Sequence, residues 1–564
     1  MENYLLLTLG HNSSAIFIDE DGQVIGYEQE RLNRMKSSSQ FPIDAIQEIQ
    51  KHVSPSKMKD CKIRISHWFN SNWNPTTDFN KHYTKEDYLY LLGISNNINS
   101  VSNMFTHHDA HAYSVKGFYD FHKTNDVDYH TIVCDGFGND GEVISIYKTT
   151  KEKGYPVLID RVYGYYNSLG ILYQHATSFT NMKENQDEYK YLGYESHIDE
   201  YLDENQIIVL SGMAVVKART MKMDGKNTEK SYTNDLGGDL KKVKDKLYKE
   251  FNVIVNEFND GITSDFKARV IIGYYVQKVC ESYLRFLIED YHIENLCVAG
   301  GTFYNVKLNN YILQHINGQF CVIPLAGDQG AAIGFYVHEC PKQFNFSTLC
   351  IGKRTLYDIE KKASKDNIIV LDSKNVEENA KLIARDIANG MLVNLVTGNM
   401  EFGPRALCNT STLFIPTTKN TADNNTMNKR NEVMPCAPVM LKRNADKLFD
   451  TNELNRVIGS DQFMICTHDY QHGYSENYGG VMHKKTLVKD TYTGRPQIIA
   501  NDSNHVIRYI LEEVENLTGV KCLVNTSYNV HGHPIVFDTF EIIDNFKFQC
   551  EHSIKKNQRL YTLK

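Results

Sequence analysis

Two histidines four residues apart open the chemistry of this chain, in His107-His108-Asp109-Ala110-His111. If the segment is helical, His107 and His111 lie one turn apart on one face, the spacing at which two imidazoles hold one metal ion. A bare H-x-x-x-H more often decorates a helix surface or caps a helix. Two carboxylates in glycine-rich turns shift that balance. Asp135 ends an apolar run, and Asp328 stands in Gly327-Asp328-Gln329-Gly330. Two imidazoles, two carboxylates and open positions suit Fe(II), Mn(II) or a similar divalent ion better than a closed zinc site. A second feature is Met400-Glu401-Phe402-Gly403-Pro404-Arg405-Ala406-Leu407. An arginine beside a rigid Gly-Pro turn presents a fixed fork to phosphate or carboxylate. The same residues also fit an ordinary loop with a surface ion pair. A third is Asn525-Thr526-Ser527-Tyr528-Asn529, whose amides and hydroxyls either cradle an anion or cap a helix.

These residues need elements to position them. Tyr4 to Leu9 reads as a buried strand, Gly10-His11-Asn12-Ser13-Ser14 as a turn, and Ala15 to Ile18 as the return strand. The arrangement recurs at His130 to Cys134, the turn Asp135-Gly136-Phe137-Gly138-Asn139-Asp140-Gly141, and Glu142 to Tyr147. Two such hairpins predict a duplicated half-domain. A helix from about Phe266 to Tyr291 leads to a short strand, then Ala299-Gly300-Gly301-Thr302 and a helix over Asn305 to His315. Strand, double glycine, helix suits an anion at the helix start. The pattern predicts an α/β domain of the actin and sugar-kinase type over residues 1–345. In such a fold the turns at Asp135 and Asp328 converge on one cleft. A connector over 346–375 and a second, smaller α/β domain over 376–564 complete the expected organisation.

Composition bounds the class. The 564 residues are 41% hydrophobic and 23% charged, enough to bury sizeable cores, which excludes a disordered chain. No apolar run reaches membrane-spanning length, and Met1-Glu2-Asn3-Tyr4 lacks the basic start of a signal peptide. Lys and Arg total 61 against 69 Asp and Glu, a net of −8, so an overall basic footprint for nucleic acid is absent. The 12 cysteines form no C-x-x-C pair and read as buried thiols in a reducing compartment, hence a cytoplasmic protein. Locally, Lys217 to Lys249 carries ten basic against five acidic residues, with Lys241, Lys242 and Lys244 at its centre; Lys353, Arg354, Lys361 and Lys362 form a second cluster. Such a stripe holds a phosphate backbone or is a solvated helix face.

Taken in order, the motifs resemble the NodU/CmcH O-carbamoyltransferase family over nearly the whole chain. The series runs from Gly10-His11-Asn12-Ser13-Ser14-Ala15 through Glu28-Gln29-Glu30-Arg31-Leu32-Asn33-Arg34-Met35-Lys36 to His107-His108-Asp109-Ala110-His111-Ala112 and Asp135-Gly136. It continues with Glu188-Tyr189-Lys190-Tyr191-Leu192-Gly193, Ala299-Gly300-Gly301, Gly327-Asp328-Gln329-Gly330, Met400 to Leu407, and Asn525-Thr526-Ser527. The resemblance implies a larger actin-like domain with an Fe(II)-type site and a smaller YrdC-like domain. It implies that carbamoyl phosphate and ATP (with Mg) form carbamoyladenylate, whose carbamoyl group passes to an acceptor hydroxyl. By motif matching, His107, His111, Asp135 and Asp328 would be metal ligands. Lys190, Gly136, Gly138, Gly300, Gly301 and Asn305 would approach the nucleotide. Arg405, Arg430, Arg495, Asn525 and Ser527 would hold the phosphates. His11 is a candidate base for the acceptor hydroxyl, or a hydrogen-bonded turn residue. The family pattern departs at Asn399 and Thr410, where arginines are expected, and around Met427 to Pro438, which lacks one Lys and one Arg. The acceptor is expected to be 5-hydroxymethylcytosine in DNA, as in viral homologues, with a sugar, aminoglycoside or other small hydroxyl compound as the alternative. A homodimer is the family-level expectation, and a degenerate binding protein on the same scaffold is the competing class.

Overall fold

The computed structural model describes residues 2–66, 89–94, 105–227, 236–258, 264–340, 343–362, 367–430, 433 and 436–563. Asn431, Glu432, Met434 and Pro435 of the divergent motif lie outside the described residues. Tyr4–Thr8 is buried at every position, so elements must cover both of its faces. It pairs antiparallel with Ser14–Ile18, which pairs with Val24–Glu28, and parallel with Lys62–Ser66. The second sheet repeats that order. Tyr129–Cys134 pairs antiparallel with Glu142–Thr149, which pairs with Val157–Tyr163, and parallel with Leu296–Ala299, followed by Phe320–Val322. Both sheets therefore run third, second, first, fourth, the duplicated actin-type topology read from the two hairpins.

Two helices lie side by side against these sheets. In His107–His122, Thr106 and Asp109 form a capping box that fixes the first turn. In Asp328–Glu339, small residues allow close approach: a Cβ at Gly334 would stand 1.9 Å from the Ala110 carbonyl oxygen. That contact brings the His111 turn up to the start of the second helix.

A seven-stranded mixed sheet forms the C-terminal half. Its order is Ile368–Leu371, Gln558–Leu563, Leu392–Thr397, Thr410–Phe414, Cys522–Ser527, Ala437–Leu441, Gln497–Ile499. Helices Val376–Ala388 and Val506–Thr518 pack on it through Ile383, Ile387, Ile510 and Val514. The two halves interlock. Phe320 exchanges backbone hydrogen bonds with Arg456 and Ile458, and Phe463 to Cys466 join the core of the first half.

His468 sits wholly buried at this junction, 2.7 Å from Asp461 and 3.5 Å from Glu453. Burial alone would lower its imidazole, but the two carboxylates raise it to about 9. A base raised on folding stabilises fully below its unfolded value of 6.5, and that stability is lost as pH rises through about 9. Melting temperature is expected to fall over that window, and His468→Gln is expected to flatten the fall. A slope unchanged in the variant would assign the pH dependence to other groups.

Candidate metal and anion site

The strand Tyr129–Cys134 delivers Asp135 to its end, where two backbone amides orient the carboxylate. Its Oδ1 accepts from Gly136 at 2.8 Å and Gly301 at 3.1 Å, which turns Oδ2 toward the histidines. His107 Nε2 stands 3.1 Å and His111 Nε2 3.4 Å from that oxygen, and 3.3 and 3.8 Å from Asp328 Oδ1. The two Nε2 atoms are 3.2 Å apart. Neighbouring ligands bound at about 2.0–2.2 Å to one ion stand roughly 3.0–3.5 Å apart. These separations, and two nitrogens with two oxygens, fit one divalent ion. Both Nδ1 atoms are buried without a hydrogen-bond partner among the described residues, which leaves Nε2 as the ligating atom.

The electrostatics agree. Burial opposes the charge on His107, yet Asp328 and Asp135 raise it to about 10. Burial would likewise raise Asp135, yet the two imidazoles hold it well below the usual carboxylate range. Such mutual attraction is what a bound cation replaces. Next to them, His108 is held neutral by burial and by Arg161, and its Nδ1 meets Ser145 at 2.8 Å. Arg161 pairs with Asp109 and Glu142, each at 2.9 Å, and Glu142 accepts the His108 amide at 3.0 Å. This network braces the helix that carries the histidines.

Glycine is required at one point of this scaffold. Gly300 has φ of 103°, and a Cβ there would stand 2.2 Å from the Cys134 carbonyl oxygen. Gly300→Ala is expected to destabilise by more than about 2 kcal/mol, since the left-handed region alone costs a non-glycine residue about 1–2. A thermal melt checks this, and an unshifted midpoint would contradict the packing.

The carboxylates open into a cavity of about 710 Å³ shared by both halves of the molecule. Its wall includes His11, Asp135, Gly136, Gly301, Asn305 and Asp328 from the first half, and Arg405, Arg430, Arg495, Asn525, Thr526 and Ser527 from the second. Tyr304 links the two groups, being perturbed by both Arg405 and Asp328. Arg405, Arg430 and Arg495 crowd together. Burial and the neighbouring guanidiniums push Arg495 well below the ordinary arginine value, and burial with Arg430 lowers Arg405. Among the described residues no carboxylate lies within ion-pair distance of Arg405 or Arg495. Half-buried guanidiniums gathered on one cavity wall, with Arg405 and Arg495 lacking a carboxylate partner among the described residues, suit an anionic ligand.

The C-terminal side of the loop bearing Arg405 is held by its own half. Glu401 Oε1 accepts the amides of Leu407, Asn409 and Thr410 at 2.8, 2.9 and 2.9 Å. Asn525 Nδ2 donates to Ala406 at 2.9 Å. His11 lines the cavity with a buried Nε2 that has no partner among the described residues.

Other expected contacts are placed differently. Asn305 reaches the cavity, but its side chain caps Leu308 and donates to Tyr173 and Gln277, so it is spent on the scaffold. Gly138 packs on Glu142, Lys190 pairs with Asp187 at 3.0 Å, and Gly300 supports the strand end, and none of the three lines the cavity. Glu188, two residues from Lys190, does line it, and burial pushes its carboxyl up to about 7. Part of the first basic cluster is offset by carboxylates. Lys217 pairs with Glu250, Lys242 with Asp239, Lys244 with Glu184 and Lys222 with Asp290. Arg354 turns inward, donating to Thr410 Oγ1 and to the carbonyls of Thr397 and Asn409 at 2.9–3.0 Å. Thr410 thus accepts a guanidinium from the connector where the family pattern carries an arginine. The Lys362 side chain lies outside the described residues.

Fold and cavity together define a two-part α/β protein in which a histidine–carboxylate cluster and an arginine cluster share one chamber. The family models carbamoyltransferase N-terminus and carbamoyltransferase C-terminus match residues 71–337 and 384–554, and the chain belongs to the carbamoyltransferase family. The uncharacterized protein MJ1051 of Methanocaldococcus jannaschii is 25% identical over 550 residues, spanning 95% of each chain. Nodulation protein U of Rhizobium fredii is 29% identical over 245 residues, 42% of this chain and 38% of its own. Among solved structures, full-length HypF in its phosphate- and nucleotide-bound form gives a TM-score of 0.30 at 13% identity, covering 60% of this chain and 55% of that one. Sua5 of P. abyssi gives 0.23 at 12% identity over 34% of this chain and 48% of its own.

Proposed function

We propose that the protein is an ATP-dependent O-carbamoyltransferase that uses carbamoyl phosphate. The observation that carries this reading is one cavity that joins a two-histidine, two-carboxylate cluster to Arg405 and Arg495, neither of which has a carboxylate within ion-pair distance among the described residues. The first domain, 1–345, carries out transfer, and the second, 376–564, carries out activation. Arg405, Arg430 and Arg495 with Thr526 and Ser527 hold phosphate oxygens. Water releases carbamate and phosphate from carbamoyl phosphate. Carbamate then attacks the α-phosphorus of ATP, giving carbamoyladenylate and pyrophosphate. The acceptor oxygen attacks the carbamoyl carbon, AMP leaves, and His11 Nε2 takes the hydroxyl proton. His107, His111, Asp135 and Asp328 would hold Fe(II) or a similar divalent ion, which supplies Lewis-acid polarisation of the carbamoyl or phosphate oxygens. Gly136 and Gly301, which line the cavity without a side chain, let the adenylate approach the backbone there.

The acceptor is a hydroxyl compound small enough to share the cavity with the adenylate. Carboxylates paired with Lys217, Lys222, Lys242 and Lys244 of the basic stripe support such a compound over hydroxymethylated DNA, because paired lysines release few counterions on binding a phosphate backbone. The test is AMP and pyrophosphate release from ATP with and without carbamoyl phosphate. Release that depends on carbamoyl phosphate supports activation through an adenylate. Binding of both ligands without release would leave a binding protein on the same scaffold.

A further inference from the structure

The segment after the third strand grips the loops of the other half that line the cavity. Val24–Glu28 runs directly into the short helix Gln29–Asn33, and Glu28 and Arg31 are only 4% and 3% exposed. Glu28 Oε2 accepts the Gly403 amide at 3.0 Å, and Arg31 Nη2 donates to the Gly403 carbonyl at 2.6 Å. The two side chains are themselves paired at 3.0 Å, and Glu30 meets Arg31 at 2.8 Å. One residue is therefore held through both of its backbone groups by a buried ion pair. Gly403 has φ of 101°, and Pro404 fixes the next φ, so the direction of Arg405 follows from the clamp. Arg34 does the same to a second wall. It donates to the carbonyls of Pro534 and Ile535, each at 2.8 Å, and reaches Glu541 at 3.2 Å.

Burying a pair of charges costs more than an apolar contact would, so this arrangement is a poor way merely to glue two surfaces. It does provide direction. The hydrogen bonds to Gly403, Pro534 and Ile535 end on two loops that carry cavity residues, and Glu28, Glu30 and Arg31 line the same cavity.

We infer that Glu28, Arg31 and Arg34 are positioning residues that register the Arg405 loop and the Pro534 loop against the half bearing the histidines. The inference rests on the proposed carbamoyl transfer for its consequence. With the loops in register, the activated group meets the acceptor inside one chamber. With the clamp cut, Arg405 loses its aim and activation slows, and more of the intermediate that does form is lost to water. A displacement of about 1 Å at a reacting centre costs roughly 10²-fold, which sets the expected scale.

The experiment compares Arg31→Met, Glu28→Gln and the half-exposed Arg34→Met with the parent protein. The ratio of AMP formed to carbamoylated product is measured together with hydrogen exchange of the 400–410 peptide. Arg31→Met is expected to raise that ratio about tenfold or more while AMP formation falls less than transfer does, with Arg31→Lys intermediate. Exchange in 400–410 is expected to accelerate. Should Arg31→Met not fold, Arg34→Met carries the same test at the 530–536 peptide. An unchanged ratio in folded variants, or unchanged exchange, would overturn the clamp. A parent protein that forms no AMP with carbamoyl phosphate would instead overturn the proposed function, and the exchange measurement would still decide the clamp.

Discussion

The His111→Ala protein is expected to bind no divalent ion at the His107–His111–Asp135–Asp328 cluster and, on the proposed function, to lose at least about 10³-fold of the transfer rate. The ion contributes several kcal/mol to a transition state of this kind, and each 1.36 kcal/mol is tenfold. His111 Nε2 sits 3.2 Å from His107 Nε2 and 3.4 Å from Asp135, so no neighbour can replace it without moving a helix. The loss is local. His111 lies in the middle of a braced helix, and alanine is a good helix former. Asp135→Asn is the stricter variant. The amides of Gly136 and Gly301 still find an oxygen, while the inward atom becomes an uncharged amide nitrogen. Both variants are expected to melt as folded proteins and to bind less metal by elemental analysis. Parent-like metal content in either would remove these residues from the ligand set.

Arg405→Ala is expected to raise the carbamoyl phosphate KM by about 10- to 100-fold, the worth of one charge-assisted contact at roughly 1.5–3 kcal/mol. A second consequence has the opposite sign. Arg405 crowds Arg495 and Arg430, and removing one guanidinium relieves that repulsion. The ligand-free variant is therefore expected to melt no lower than the parent, while the stabilisation that inorganic phosphate gives the parent shrinks. Unchanged kinetics together with an unchanged phosphate response would move the anion site away from this cluster.

The sequence reached the chemistry more easily than it reached the supports. The two hairpins gave the duplicated topology because glycine-rich turns between short apolar runs leave few alternatives. That His107, His111, Asp135 and Asp328 form one cluster was legible because imidazoles four apart on a helix and carboxylates at glycine-rich turns can meet in such a fold, and these four do converge. Arg405 was legible from the Gly-Pro turn beside it. The limits are equally physical. Asn305 looks like a ligand in a Gly-Gly-x-x-x-Asn run, but its side chain is consumed by Leu308, Tyr173 and Gln277, partners scattered over more than a hundred residues. The lysine stripe looked open because its counter-charges, Glu184, Glu250 and Asp290, come from other elements. Glu28 and Arg31 were visible as a motif, yet their target, the backbone of Gly403, leaves no mark in side-chain spacing. Arg354 looked like surface charge and instead fills in beside Thr410.

The central claim is transfer of a carbamoyl group from carbamoyl phosphate to a hydroxyl. The most direct measurement uses metal-loaded protein, ATP and carbon-13-labelled carbamoyl phosphate with a panel of sugars, aminoglycosides and DNA containing 5-hydroxymethylcytosine. Products are read by mass spectrometry. The account predicts one labelled carbamoyl group on a small hydroxyl compound, dependent on ATP and lost in His111→Ala. Label that reaches no acceptor in the panel, with no ATP consumed when carbamoyl phosphate is present, would contradict it.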